Sequence, residues 1–180
     1  MRSCECGIDV CENRPEVHLF KIPVPSLVLR LCVYRLRLYP VWPIVAVENV
    51  IASLQRDDHD MEAYALANAL GAAAVAQLKA NQSEFDSITA SSMEQECQRS
   101  KLLIKDGPPV NLNGVRIAFF LHIYHENQHP GGVKSLLYLR EAITVAQILG
   151  LHRERTYSNI PIPEQQISRR ILWLLFVTER

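Results

Sequence analysis

The chain has 180 residues, 48% hydrophobic and 21% charged, a balance typical of a globular domain rather than a disordered chain. Its 19 basic and 19 acidic residues cancel, so it lacks the basic excess of a domain that binds DNA by itself. Its five cysteines are odd in number and unevenly placed, which argues against a disulfide framework and favours a reducing compartment. No apolar stretch reaches the roughly 20 residues that span a bilayer, so the sequence predicts no membrane partner.

The chain changes character near residue 26. Residues 1–25 are polar and contain several prolines, so we expect a disordered leader there, followed by a folded region over residues 26–180. Residues 26–38 fit a helix that begins at Ser26. They also fit a strand, because their arginines do not share one helical face.

Prolines and capping residues divide the next segments. Residues 39–43 read Tyr-Pro-Val-Trp-Pro and predict a rigid apolar turn, because proline disfavours helix in the residue before it. We predict a short helix over residues 45–55 that ends in a charged loop. Asp60 is suited to cap a helix over residues 61–80, whose many alanines favour the close approach of a neighbouring helix.

Helices are also predicted for the rest of the chain. Ser83 and Asp86 resemble a capping box for a helix that runs to about Ile104. Two apolar helices over residues 114–129 and 133–150 are joined by a Pro-Gly-Gly break, and a last helix carries the sequence Arg-Arg-Ile-Leu-Trp. No alternating strand pattern is found, so we predict an all-α, multi-helix fold.

The helix over residues 133–150 is apolar around nearly its whole circumference. At about 100° per residue, its polar side chains share one narrow stripe, formed by Arg140, Glu141, Thr144 and Gln147. A helix of this kind is normally buried by neighbours on several sides. We therefore predict that it lies inside a multilayer helical core.

One segment matches a catalytic metal signature. His125, Glu126 and His129 fit the H-E-x-x-H pattern of zinc peptidases, in which two imidazoles bind zinc and the glutamate activates water. His122 adds a third imidazole on the same face. However, Pro130 follows at once and would end the helix at the second ligand. We therefore favour the alternative that these residues form the solvated edge of an apolar helix, and we predict no catalytic residue.

Three cysteines near the N-terminus are a second candidate for metal binding. Cys4, Cys6 and Cys11, together with His18, would supply the four ligands that tetrahedral zinc takes. Their spacing fits no known zinc module, so we expect unligated cysteines in the leader instead.

Arginines near the C-terminus are a candidate anion-binding patch, formed by Arg153, Arg155, Arg169 and Arg170. We favour the simpler interpretation, in which Arg169 and Arg170 pair with nearby glutamates at the surface. Trp42 and Trp173 are expected in the core, where tryptophan is more common than at a ligand platform.

The region from residue 26 to residue 180 resembles the middle regulatory region of fungal zinc-binuclear-cluster (Zn2Cys6) transcription factors. The turn at residues 39–43 and the alanine-rich helix around Asn68 fit this family. The residues that carry the resemblance most clearly are Tyr138, Leu139, Arg140, Glu141, Gly150, Leu151, His152, Arg153, Arg169, Arg170 and Trp173. The similarity is greatest to the subgroup that activates genes of starch, maltose and related sugar catabolism.

The resemblance implies a nuclear, all-helical and non-enzymatic regulator. Members of this family bind DNA, often as dimers, through a separate N-terminal module in which six cysteines hold two zinc ions. That six-cysteine pattern is absent from this sequence, so neither DNA nor zinc binding is assigned to any residue here, and we expect no cofactor in this chain. The family's middle region is thought to respond to inducers or corepressors, which the sequence does not identify.

Compared with the family, we expect a domain that is incomplete at its C-terminus. The sequence leaves three interpretations open. The first is a regulatory domain of a transcription factor for carbohydrate genes. The second is a truncated paralogue without DNA binding, which inhibits related factors by association or is a decayed gene product. The third is a zinc peptidase built on His125, Glu126 and His129. We favour the first, and we expect the last helix to expose apolar side chains.

Overall fold

A computed structural model describes residues 21–57, 59–78, 88–104, 109–158 and 160–180 of the chain. These residues form α-helices and one short 3-10 turn, with no strand among them, which confirms the predicted all-α class. In chain order the helices are α1 (Val24–Arg37), α2 (Val47–Arg56), α3 (Met61–Leu78), α4 (Ala90–Leu103), α5 (Leu112–Gln128), α6 (Val133–Ile148) and α7 (Ile162–Glu179), with the 3-10 turn at Glu154–Tyr157 before α7. In this described part of the chain, no helix is long and apolar enough to cross a membrane.

The segment that the sequence left open between helix and strand is a helix. It begins at Val24 rather than at Ser26, with Pro23 as its N-cap and Pro25 in its first turn. Proline is well placed there, because the first backbone N–H groups of a helix need no intrahelical partner. Ile22 is buried just before the helix, and residues 1–20 of the predicted leader lie outside the described residues.

The apolar turn that the prolines predicted lies between α1 and α2, and it is tied to the core. The hydroxyl of Tyr34 donates a hydrogen bond to the carbonyl oxygen of Trp42. Trp42 is buried, and its ring centroid lies 6.2 Å from those of Phe119 and Phe120 in edge-to-face contacts. Such aromatic pairs contribute beyond the area that they bury, so they hold this turn against α5.

The alanine-rich helix α3 is the centre of the fold. Every residue from Ala63 to Ala74 is buried, because α3 packs against α1, α4 and α5. Asp60 caps this helix as predicted, accepting a hydrogen bond of 2.9 Å from the N–H of Ala63. Gly71 faces α4 so closely that a Cβ there would lie 2.8 Å from the Sδ of Met93. Small residues therefore set the distance between these helices.

Helix α4 begins with a capping box that the sequence analysis did not identify. The Thr89 hydroxyl accepts from the N–H of Ser92, and the Ser92 hydroxyl accepts from the N–H of Thr89, both at 2.9 Å. This reciprocal pair satisfies two backbone donors at the start of the helix. The capping box predicted at Ser83 and Asp86 lies outside the described residues.

Helix α6 is not surrounded by neighbours. The prediction that this helix lies inside a multilayer helical core was therefore wrong. Its buried residues form one narrow stripe at helical spacing, Ser135, Leu139, Ala142 and Ala146. Several apolar residues on its other sides are exposed, namely Val133, Leu136, Leu137 and Ile148. The reason is that α6 packs mainly against α5 and meets α7 and the side chains of α4 along its edges, and no described element covers its remaining face.

Helix α7 also presents an apolar face to solvent. Its buried stripe is Ser168, Ile171 and Leu175. Trp173 lies two residues from Ile171, about 200° around the helix axis, and its side chain is 66% exposed. The predicted burial of Trp173 was therefore wrong, whereas the expected exposure of apolar side chains on the last helix is confirmed.

Candidate functional site

The histidine motif on α5 lies in a buried polar network between α4, α5 and α6. His122 and His125 are only 5% and 8% exposed, so the interpretation of a solvated helix edge was wrong for these two residues, whereas His129 is exposed. α6 crosses α5 on the face that carries these histidines. A polar stripe on an apolar helix can thus face a neighbouring helix instead of water, provided that its hydrogen bonds are satisfied there.

Ser135 of α6 connects the residues of this network. Its hydroxyl lies 2.9 Å from Nδ1 of His122 and donates a hydrogen bond of 2.5 Å to Oε2 of Glu126. The other oxygen of Glu126 accepts from the backbone N–H of Gly131 at 3.0 Å. These two bonds lower the pKa of Glu126, and the bond from Ser135 has the larger effect. Both do so because they stabilise the charged form of the carboxylate. The glutamate therefore anchors the Pro-Gly-Gly break to the two helices that it joins.

His125 lies in the same network but is held by ring stacking rather than by side-chain hydrogen bonds. Its ring stacks on that of Tyr138, with centroids 5.3 Å apart and an interplanar angle of 6°. Its Nε2 is buried without a hydrogen bond, although Oε1 of Glu94 lies 3.5 Å away. Burial lowers the pKa of His125, although the nearby carboxylate of Glu94 opposes the shift. Burial likewise raises the pKa of Tyr138 to about 12.

The structure does not bring the H-E-x-x-H side chains together as a zinc site. His129 is the exposed C-cap of α5 with a non-helical backbone, whereas His125 is buried against α6 and Glu126 is bonded to Ser135 and Gly131. Within the described residues, no group of three or more His, Cys, Asp or Glu side chains could hold a metal ion. The other metal candidates, Cys4, Cys6, Cys11 and His18, lie outside the described residues.

The family-motif residues at the end of α6 form a Schellman C-cap. Gly150 adopts a left-handed conformation with φ of 70°. Its N–H bonds to the carbonyl of Gln147 at 2.9 Å, and the N–H of Leu151 bonds to that of Ala146 at 3.1 Å. Leu151 is buried, which completes the hydrophobic contact of this motif. The Gly-Leu pair therefore ends α6 and turns the chain towards α7.

The turn after this cap is fixed by side chains from both of its ends. The hydroxyl of Thr156 donates to the carbonyl of Gly150 at 2.9 Å, and the hydroxyl of Tyr157 donates to that of Leu151. Arg169 pairs with Glu154 and lies 4.7 Å from the centroid of the Tyr157 ring. The predicted surface pairing of Arg169 is confirmed, and it links the 3-10 turn to α7.

Two further motif residues link α6 to its neighbours. Arg140 pairs with Glu179 of α7 at 2.6 Å, and Glu141 pairs with Lys101 of α4 at 2.9 Å. The Arg140–Glu179 pair is exposed and stabilises the fold by only about 0–1 kcal/mol, whereas Lys101 is largely buried in its pair. Together the two pairs set the orientation of α6 between α4 and α7.

An apolar groove of about 440 Å³ lies between α6 and α7, and its lining includes the motif residues His152 and Arg153. On the outer side of α7, Arg170, Trp173 and Val177 form a second apolar depression together with Pro43. Arg170 makes no ion pair within the described part of the chain, unlike its neighbour Arg169. The expected surface pairing is thus found for Arg169 but was wrong for Arg170, although both arginines line this depression.

A third cavity, which the sequence analysis missed, is polar. It has a volume of about 480 Å³ and lies between α2, α3, α5 and the start of α7. Its rim carries Glu62, Asn111, Asn113 and Arg116, which are bonded to one another. The Asn-x-Asn pair at the start of α5 was the available signal, but its contact with Glu62 spans about fifty residues of sequence and is set by tertiary packing.

Comparison with known proteins places these features in a family. Residues 31–180 match the model of the fungal specific transcription factor domain. The chain is 34% identical over 152 residues to the probable sucrose utilization protein SUC1 of Candida albicans, covering 82% of this chain and 30% of that protein. It is 30% identical over 180 residues to the maltose fermentation regulatory protein MAL33 of Saccharomyces cerevisiae, covering 94% of this chain and 36% of that protein.

A third relative is the respiratory transcription factor ZNF1 of Saccharomyces cerevisiae, 26% identical over 171 residues, which cover 90% of this chain and 35% of that protein. The chain thus spans about a third of the length of these relatives. No solved structure matches it. The matched segment includes the histidine network, the C-cap of α6 and the helix α7, and the chain belongs to the fungal specific transcription factor domain family.

Proposed function

We propose that this chain is part of the regulatory region of a nuclear transcription factor that controls genes of sugar utilization. The observation that carries this proposal is the similarity over 82% and 94% of the chain to proteins named for sucrose utilization and maltose fermentation. The zinc peptidase alternative is not supported by these relatives.

The chain acts without contacting DNA and without catalysis. Its formal charge is zero, whereas direct DNA affinity depends on many basic contacts to phosphate. His125 and Glu126 of the H-E-x-x-H motif, together with the preceding His122, are used for ring stacking and hydrogen bonds between α5 and α6. DNA and zinc binding belong to a separate module of the family and to no residue of this chain.

Association with related regulators is a second part of this proposal. The exposed apolar side chains of α6 and α7, such as Leu137 and Trp173, favour it, because apolar surface of this kind commonly marks an interaction site.

A reporter assay tests the regulatory function. The full 180-residue chain is fused to the DNA-binding module of an unrelated regulator in yeast cells that carry the matching reporter gene. We expect reporter expression to differ between glucose medium and medium with maltose or sucrose, while the DNA-binding module alone shows no such difference. Equal expression in all media, with the fusion present in the nucleus, would contradict the proposal.

A further inference from the structure

The polar cavity between α2, α3, α5 and α7 has the size of a ligand site. Its volume of about 480 Å³ lies within the roughly 300–1,000 Å³ of small-molecule pockets. Its apolar lining comes from aliphatic side chains such as Val50, Leu66 and Ile167, and its polar lining comes from carboxylates, amides and one arginine. Pockets with an apolar wall and a few fixed polar groups are typical of small-molecule recognition.

The polar groups on the rim are fixed before any ligand enters. Glu62 accepts hydrogen bonds from the amide groups of Asn111 at 2.9 Å and Asn113 at 2.6 Å. Asn111 is itself held as the N-cap of α5, where its Oδ1 accepts from the N–H of Gly114 at 2.9 Å. Each carboxylate oxygen retains a second lone pair for a further donor. The site is therefore preorganised, which lowers the cost of binding.

Arg116 is the cation of this cavity and has no carboxylate partner among the described residues. Its Nε donates to the carbonyl oxygen of Ile44 at 2.8 Å, and its Nη1 donates to Oδ1 of Asn113 at 2.6 Å. Both acceptors are neutral, and the guanidinium has five N–H groups, so donors remain for a ligand. Burial lowers the pKa of Arg116, as expected for a charge that is only partly compensated.

The charges of the cavity disfavour anionic ligands. Asp60, Glu62 and Glu164 line it and would repel a phosphorylated compound, because Arg116 offsets only one of the three carboxylates. A hydroxyl group both donates and accepts, so it can bond to the carboxylates and to the arginine and amides at once. The alternation of fixed donors and acceptors thus suits a neutral molecule with many hydroxyl groups.

We propose that this cavity binds a neutral sugar of disaccharide size through Glu62, Asn113 and Arg116. This inference rests on the proposed function, because the relatives named for sucrose and maltose suggest the ligand class. Glu164 and Ile167 belong to the first turns of α7, so a bound sugar would tie the start of α7 to α2, α3 and α5. The ligand would thereby bias the position of the helix that presents Trp173 to solvent.

Calorimetric titration of the full 180-residue chain tests the inference, with sucrose and maltose as probes and glucose 6-phosphate and magnesium chloride as comparison ligands. Asn49 lines the cavity and Gln55 does not, and both are exposed on α2. Asn49→Trp blocks the cavity, and Gln55→Trp adds the same ring elsewhere on the same helix. Arg116→Lys keeps the charge but removes the planar set of donors. Circular dichroism confirms that each variant is folded.

We expect saturable binding of at least one of the two sugars and none of the comparison ligands. Asn49→Trp and Arg116→Lys should weaken the affinity by about tenfold or more, and Gln55→Trp should leave it within about twofold. Absence of sugar binding up to about 50 mM, or undiminished binding by folded Asn49→Trp, would overturn the inference. Preference for the phosphate or for magnesium would overturn it as well.

The reporter fusion separates this inference from the proposed function. If the fusion still responds to maltose or sucrose while the purified chain binds neither sugar, the chain is a regulator and the cavity is not its sugar site. If the chain binds sugar through Arg116 but the fusion never responds, the cavity assignment stands and the regulatory proposal fails.

Discussion

At the scale of single residues, His125 shows how burial changes the role of a side chain. It lies between Glu94 of α4 and Tyr138 of α6, and Lys134 and His129 are also near enough to influence its charge. Burial outweighs the attraction of Glu94 and lowers the pKa of His125 below its usual 6.5. The histidine is therefore held in its neutral form within the folded domain.

We predict that His125 makes the fold sensitive to acid. Because its pKa is lower in the folded state, the unfolded chain binds more protons below about pH 6.5, and the free energy of unfolding falls as the pH decreases through that range. His125→Phe keeps the ring stack and removes the titration. Urea unfolding between about pH 7.5 and pH 5 should therefore show a shallower decrease in this variant.

The exposed His59 provides the control for this prediction. His59→Gln removes an exposed imidazole, and its urea unfolding over the same pH range is the reference for the effect of His125→Phe. An unchanged pH dependence in folded His125→Phe would show that other groups cause the acid sensitivity.

At the scale of helices, the end of α6 depends on one glycine. Gly150 has φ of 70°, a conformation that costs an ordinary L-residue about 1–2 kcal/mol. Gly150→Ala should therefore lower the free energy of unfolding by about 1 kcal/mol or more, measured by urea denaturation. Gly150→Asn is the control, because asparagine tolerates the left-handed region better. Equal losses in both variants would refute the backbone explanation.

The two faces of α6 also predict different responses to the same substitution. Leu139 is 6% exposed, whereas Leu137 is 63% exposed on the same helix. Leu139→Ala should reduce the free energy of unfolding by about 2–5 kcal/mol, and Leu137→Ala should change it by no more than about 0.5 kcal/mol. Denaturation of both variants under the same conditions measures the difference. Comparable losses would mean that the outer face of α6 is covered by another surface in solution.

At the scale of the whole molecule, apolar side chains accumulate on the outer faces of α6 and α7. We predict that this surface causes association at high concentration. The triple variant Leu137→Gln, Trp173→Gln and Phe176→Gln should shift the chain towards monomer in light scattering, with little change in its unfolding. Leu36→Gln is the control, since Leu36 is 77% exposed on α1. A parent chain that stays monomeric at high concentration would contradict the prediction.

The local part of the fold could be predicted because its causes lie close together in the sequence. Asp60 caps the helix that follows it, and the Pro-Gly-Gly break separates α5 from α6. The resemblance to the fungal regulators, which rests on short segments such as the one around Gly150, was confirmed by the family match. The chain boundaries of the predicted leader and domain remain predictions.

The sites that depend on contacts between distant segments could not be predicted in the same way. Periodicity identifies the polar stripe of α5, but only the crossing of α6 decides that His122 and His125 are buried. The same periodicity marks α6 as apolar all round, and only the arrangement of its neighbours leaves Leu137 exposed. The bonds from Asn111 and Asn113 to Glu62 likewise join segments that are far apart along the chain.

The sequence by itself determined the helical class, most helix ends and the family, because caps, turns and hydrophobic periodicity act over a few residues. The tertiary structure alone decided which faces are buried, that His125 and Glu126 of the H-E-x-x-H motif contact α6, and that a polar cavity forms beside Arg116. Burial and cavities arise from the relative positions of whole helices, which depend on packing between segments that the sequence does not place side by side.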